Sequence, residues 1–271
     1  MLVEGSDNRG ALSRLSCEAI RSAEALDIDD VATLFEHLYT FNSIPVTPRW
    51  RKRIPDTTAV RNELGLHSAA DVCALLEERW VHIREEVDNG WLTWVRPKDG
   101  GELGGTGPEI KFYVSPAVDS LEHVFPELVR VVTFCRARSF KAGADVGGLL
   151  RPDKLVAYFS TMGDLANAAH ELARRFDGVP PHGVPFTAEI SGGGLLSWGV
   201  DPPSQTVFRG KSAPSWREWV CYRLAEALIK ARKEDNGTEP LWHQSLERLR
   251  NQGVQVERWL PSQAYWGIAL W

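Results

Sequence analysis

Lys111, Lys141, Arg151, Arg209 and Arg217 are the side chains whose types and spacing most readily add up to chemistry, together with Tyr113, Tyr158 and Thr187. The run PEIKFYVSP sets Lys111 and Tyr113 two apart, and on a strand alternate residues share one face. FKAG presents Lys141 on a second short strand. Arg151 opens RPDKLVAYF, which carries Tyr158, and Arg209 and Arg217 stand before and within the start of a long helical stretch. Thr187 lies in PFTAEI. Brought together, these cations and phenols would suit a phosphate dianion. Each also has an ordinary structural reading. Edge-strand lysines deter aggregation, half-buried tyrosines tether a hydroxyl, helix arginines form a solvated face, and threonine favours strands.

Other chemistries are poorly served. There is no GxSxG elbow, HExxH helix, Walker loop or GxGxxG following a strand. The glycine-rich stretch at 100–108 precedes a strand rather than a helix, so it lacks the dipole that holds phosphate. The seven histidines never pair at i, i+4 beside a carboxylate, and the four cysteines (Cys17, Cys73, Cys135 and Cys221) form no CxxC pair. No metal or organic cofactor is expected, and the cysteines read as buried, reduced thiols on helices. A net charge of -5 argues against nucleic acid as a partner. No apolar run spans a bilayer and the first residues resemble no export signal, so no membrane association and a cytoplasmic location are expected.

The elements that must position these residues follow from periodicity. Helices are predicted at about 11–26, 29–39 and 68–79, the last capped by Ser68. Arg49–Arg53 reads as a basic connector. From Trp91 the texture alternates: strands at Trp91–Val95, Ile110–Ser115, Ser139–Ala142, Leu155–Ser160, Pro185–Ser191 and Leu195–Val200. Helices fall at Leu121–Phe134, from a Thr161/Asp164 capping box to Phe176, at Ser215–Arg232 as an amphipathic helix, and at Leu241–Arg250. The class is α+β: a helical N-terminal region over 1–90, then a mostly antiparallel sheet flanked by helices over 91–271, the two forming one continuous unit. Six of the tryptophans lie in the last quarter, where they either dock a partner or fill the core.

The stretches IKFYVSP, SFKAG, GLLRPDKLVAYF, VPFTAEI and SWREWVCYRLAEAL carry a resemblance, over about 109–228, to the HopA effector-like family. Members of that family include proteins encoded beside kinase-like partners in lanthipeptide and thioamitide biosynthesis. More distantly, the chain is similar to bacterial effector phosphothreonine lyases, which have a Lys-Phe-His strand where this chain has Lys111, Phe112 and Tyr113.

The resemblance implies β-elimination of phosphate from phosphoserine or phosphothreonine in a kinase-phosphorylated precursor peptide, giving dehydroalanine or dehydrobutyrine. A lysine can remove an α-proton only if neighbouring cations and desolvation lower its pKa. Lys141 is the candidate base, Lys111 a stabiliser of the enolate or phosphate, and Arg151, Arg209 and Arg217 the phosphate clamp. Tyr158 and Thr187 are expected to touch substrate. The departure is at the acid. Tyr113 replaces histidine, and either its phenol, made more acidic by cations, donates the proton, or it only hydrogen-bonds the phosphate, or His170 or His182 supplies the proton. The rival expectation is a non-catalytic module that binds a peptide or scaffolds the kinase.

Overall fold

The computed structural model describes residues 10–83, 90–97, 109–202, 207–208, 211–212, 214–234, 237 and 239–262. Arg209, the glycine-rich stretch at 100–108, Trp266 and Trp271 lie outside them. Five helices come first: α1 (Ala11–Glu24), α2 (Val31–Thr40), α3 (Pro48–Arg53), α4 (Thr57–Glu63) and α5 (Ala70–Arg79). Strands β1 (Val81–Ile83), β2 (Trp91–Val95) and β3 (Ile110–Val114) lead to α6 (Leu121–Phe134), β4 (Ser139–Gly143) and the single turn α7 (Val146–Leu149). Then follow β5 (Leu155–Phe159), α8 (Met162–Arg175), β6 (Ala188–Ile190) and β7 (Leu196–Val200). Two small hairpins, β8 (Val207–Phe208) with β9 (Lys211–Ser212) and β10 (Val254–Gln255) with β11 (Leu260–Pro261), flank α9 (Trp216–Lys233) and α10 (Leu241–Asn251). No described helix is long and apolar enough to cross a membrane.

The main sheet has seven strands in the order β1-β2-β4-β5-β3-β7-β6, every neighbouring pair antiparallel. Helices cover both faces, so the class is α+β as the alternating texture predicts. On one face Leu92, Trp94, Phe112, Phe140, Ala157 and Trp198 pack under α4, α5, α6 and α8. Trp94 stacks on Phe140 at 5.0 Å, and Trp80 closes that cluster by donating its indole N–H to Thr133. The opposite face turns toward α1, α2, α9 and α10, which share their own core. Trp216 and Trp219 of α9 and Trp259 are buried there, so these tryptophans fill the core. Arg232 ties α9 to the end of α1 by donating to the carbonyls of Ala23, Glu24, Leu26 and Ile28.

Several local expectations need correction. Ser68 does not cap α5: the helix starts at Ala70 without a side-chain cap, and the Ser68 hydroxyl donates to the Gly65 carbonyl instead. The basic connector at 49–53 is itself a helix, held by the Arg53 fork on Glu63 and by Asp119. The helix at 216–233 is not simply amphipathic, because packing between α2, α10 and the sheet buries most of its circumference. The Thr161 cap of α8 and the Ser215–Glu218 capping box of α9 form as their sequences dictate. Cys17 and Cys221 are buried, Cys73 and Cys135 half-buried, and all four are free thiols.

Close backbone approach fixes the end of β4 against α7. A Cβ on Gly143 would lie 2.3 Å from the carbonyl carbon of Gly148, so only glycine fits there. Gly143→Ala should therefore lower stability by about 1–3 kcal/mol, the usual cost of overpacking, measured by urea unfolding.

Candidate active site

The register brings the sequence-selected residues together. Along one row across the sheet, Lys141 on β4 pairs with Val156 on β5, which pairs with Tyr113 on β3. In the adjacent row, two residues away along each strand, Tyr158 pairs with Lys111. Alternation puts Lys111, Tyr113, Lys141 and Tyr158 on the face away from the aromatic cluster. There they line a cavity of about 440 Å³ with Tyr39, Trp91, Glu109, Arg151, Asp153 and Asp201, closed by the first turn of α9 through Ser215, Arg217 and Glu218.

Asp153 organises the cationic side. Arg151 grips both its oxygens, Nε to Oδ1 at 2.9 Å and an Nη to Oδ2 at 3.0 Å, and Arg217 donates to Oδ2 at 2.7 Å. Burial alone would raise the Asp153 carboxyl, but Arg217 and Arg151 outweigh it and hold it far below the usual carboxylate range. Tyr39, from the end of α2, completes the arrangement. Its carbonyl accepts from Arg217 at 2.9 Å, its hydroxyl accepts from Arg151 at 3.2 Å, and its ring lies beside both guanidinium groups.

The two lysines differ. Lys111 is ion-paired with Asp201 at 2.6 Å, and Asp201 also accepts from the Trp216 amide at the start of α9. The Lys141 amine forms no hydrogen bond or ion pair among the described residues. Its Nζ sits 4.0 Å from the Trp91 ring centre and 5.7 Å from that of Tyr158. Desolvation, helped by the charge of Lys111, pulls the Lys141 amine down to about 8. An unpaired amine whose pKa is brought down toward neutrality, beside fixed cations, is what proton abstraction next to a carbonyl needs.

Other site expectations are revised by the packing. Arg217 is fully buried, and its remaining donor goes to the Pro185 carbonyl, so it serves as a strut for Asp153 and Tyr39. Arg151, with its side chain 34% exposed, is the arginine that can still meet a ligand. Thr187 does not reach the cavity: its buried hydroxyl donates to the Val184 carbonyl and shares a hydrogen bond with Ser197. The cationic site does not make Tyr113 a stronger acid. Burial and the Asp201 carboxylate push its phenol well above the ordinary value, and burial does the same for Tyr158. Neither His170 nor His182 lines the cavity. His170 is exposed on α8, over the opposite face, and both ring nitrogens of His182 have partners elsewhere.

Asp153, Tyr39, Trp91 and Asp201 were not singled out from sequence. Asp153 was the most accessible of these, since it stands two residues after Arg151 in RPDK. Tyr39 carried no signal, because its role arises only when α2 packs on α9.

No family model and no curated protein matches the chain. Two solved structures are similar in shape. The effector protein from Pseudomonas syringae pv. syringae strain 61 superposes with a TM-score of 0.53 at 14% identity. The effector protein from P. syringae pv. tomato strain DC3000 does so with a TM-score of 0.51 at 12% identity. Each alignment covers 93% of this chain and 98% of the effector. The likeness is one of fold. It spans almost the whole chain and leaves the chemistry to the site.

Asp153→Asn should cost about 3–5 kcal/mol in chemical denaturation, because the buried Arg217 guanidinium loses its counter-ion and the half-buried Arg151 loses its anchor. The carboxyl is depressed in the folded state. Its stabilisation is therefore present above the ordinary carboxylate pKa and lost as pH falls below it, and the variant should show a flatter acid limb.

Proposed function

We propose that this chain is a phosphoserine/phosphothreonine lyase that eliminates phosphate from a phosphorylated precursor peptide to give dehydroalanine or dehydrobutyrine. The observation that carries this reading is the free Lys141 amine, lowered to about 8, facing Arg151, Lys111 and two protonated phenols in one cavity.

In this reading Arg151 and Lys111 bind the phosphoryl oxygens. The Lys141 amine takes the α-proton, the C–H electron pair becomes the Cα=Cβ bond, and the Cβ–O bond breaks with its electrons leaving on phosphate. A phosphate whose second pKa is near 6 leaves without a strong acid. Tyr113 and Tyr158, held in their phenol form by burial, therefore hydrogen-bond the departing oxygen and need not protonate it. The sequence holds no nucleotide-binding signature, so a separate kinase-like partner installs the phosphate. The setting is ribosomal peptide natural-product biosynthesis, as the family resemblance implies.

One observation favours the rival peptide-binding or kinase-scaffolding module. Among the described lining residues, Lys111, Lys141, Arg151 and Arg217 face an equal number of carboxylates, Glu109, Asp153, Asp201 and Glu218, so the cavity is not strongly cationic. Mass spectrometry of a phosphoserine peptide incubated with the protein separates the two. The lyase yields an alkene that added thiol traps, and Lys141→Ala slows it by about 10²–10⁴, the scale of a lost general base. No elimination, even with the authentic peptide and its kinase, leaves the binding module. For the wild type, kcat/KM should climb as pH rises toward about 8 and level off above it, because the base acts unprotonated.

A further inference from the structure

Next to Asp153 but outside the cavity lining lies a second polar cluster that the elimination chemistry does not use. The Lys154 side chain is fully buried. Its Nζ donates to the Pro116 carbonyl at 3.0 Å and lies 2.6 Å from His182 Nδ1. His182 Nε2 lies 2.6 Å from the backbone carbonyl of Asn42. A carbonyl can only accept, so Nε2 carries the ring proton, and Nδ1 accepts from Lys154. The geometry thus places the ring proton on Nε2, and a second ring proton on Nδ1 would displace the hydrogen bond that a Lys154 ammonium donates there.

Asn42 is clamped at both ends. Its backbone is left-handed, with φ of 68°, a conformation asparagine tolerates better than most residues. Its side-chain amide donates to the carbonyls of His182 at 2.9 Å and Gly183 at 3.0 Å. Three residues earlier in the chain stands Tyr39, which holds Arg217 through its carbonyl and Arg151 through its hydroxyl. Both arginines grip Asp153, and Asp153 is bonded covalently to Lys154. The contacts therefore close a ring from Asp153 through the arginines, Tyr39, Asn42, His182 and Lys154, back to Asp153.

We propose that His182 is a positioning residue for the cavity. As an Nε2–H imidazole bridging Lys154 and Asn42, it holds the end of α2 so that Tyr39 keeps Arg151 aimed at the phosphoryl group. The functional half of this proposal rests on the lyase reading, and the structural half does not.

The test uses the full chain and two readouts. In ¹⁵N-imidazole spectra, the His182 signal, assigned by its loss in His182→Gln, should report the neutral Nε2–H tautomer near neutral pH. The tautomer is read on the unsubstituted chain, and the variant serves only to assign the signal. Binding of a phosphoserine peptide is then measured in a Lys141→Ala background, so that the probe is not consumed. His182→Gln, which can both accept and donate, should bind within roughly threefold of its parent. His182→Ala should bind about tenfold or more weakly, the scale of losing an outer-shell partner. An Nδ1–H or doubly protonated ring overturns the proposal whatever the binding shows. Equal affinity in His182→Ala and its parent overturns the positioning role alone. A parent that binds no phosphopeptide overturns the lyase reading and the functional role together.

Discussion

The Asp153 carboxylate is the interaction on which the site depends. A buried carboxylate is tolerable only if its charge is met and its oxygens are filled. Here Arg151 and Arg217 do both, arriving from a loop before β5 and from the first turn of α9. Because the pair of arginines also reaches Tyr39, one anion fastens α2, α9 and the sheet to each other around the cavity. The electrostatics at this point are internal to the fold before they are available to a ligand.

That arrangement divides the labour among the cations. Arg217 is committed to structure, Lys111 is shared with Asp201, and Arg151 offers its outer edge. Lys141 is left with an aromatic face in place of a counter-ion. Desolvation without pairing is what lowers an amine, and pairing is what prevents it. The contrast between the two lysines on one sheet face is therefore a division between a group held in an ion pair and a group that can take up a proton. Carboxylates in equal number keep the cavity from becoming a general anion trap, so discrimination must come from shape and from the few free edges.

Much of this was legible in the sequence. Period-two alternation placed Lys111 and Tyr113 on one face, and the strands carrying Lys141 and Tyr158 were found within a residue or two. The cap chemistry at Thr161 located one helix start correctly, and the helix predicted from Ser215 begins one residue later. What failed did so for reasons of tertiary context. Arg217 read as part of the phosphate clamp because a helical sequence does not reveal that packing buries its guanidinium against Asp153 and the Tyr39 and Pro185 carbonyls. Thr187 read as a strand hydroxyl open to substrate because its partner Ser197 lies across a hairpin. The acidity expected of Tyr113 was reversed because counting cations omitted Asp153 and Asp201, and burial outweighed both signs of charge. Strand β1 and the short helices α3 and α4 were missed because they are too brief to show a period.

The most direct test of this account is a site-resolved titration of the Lys141 side chain, by NMR of the full chain with labelled lysine and Lys141→Arg as the assignment control. The account predicts a midpoint near 8, well apart from the bulk of the lysines. A midpoint at the ordinary lysine value, about 10.4, would contradict it, because a fully charged Lys141 at neutral pH would be one more phosphate contact and no base.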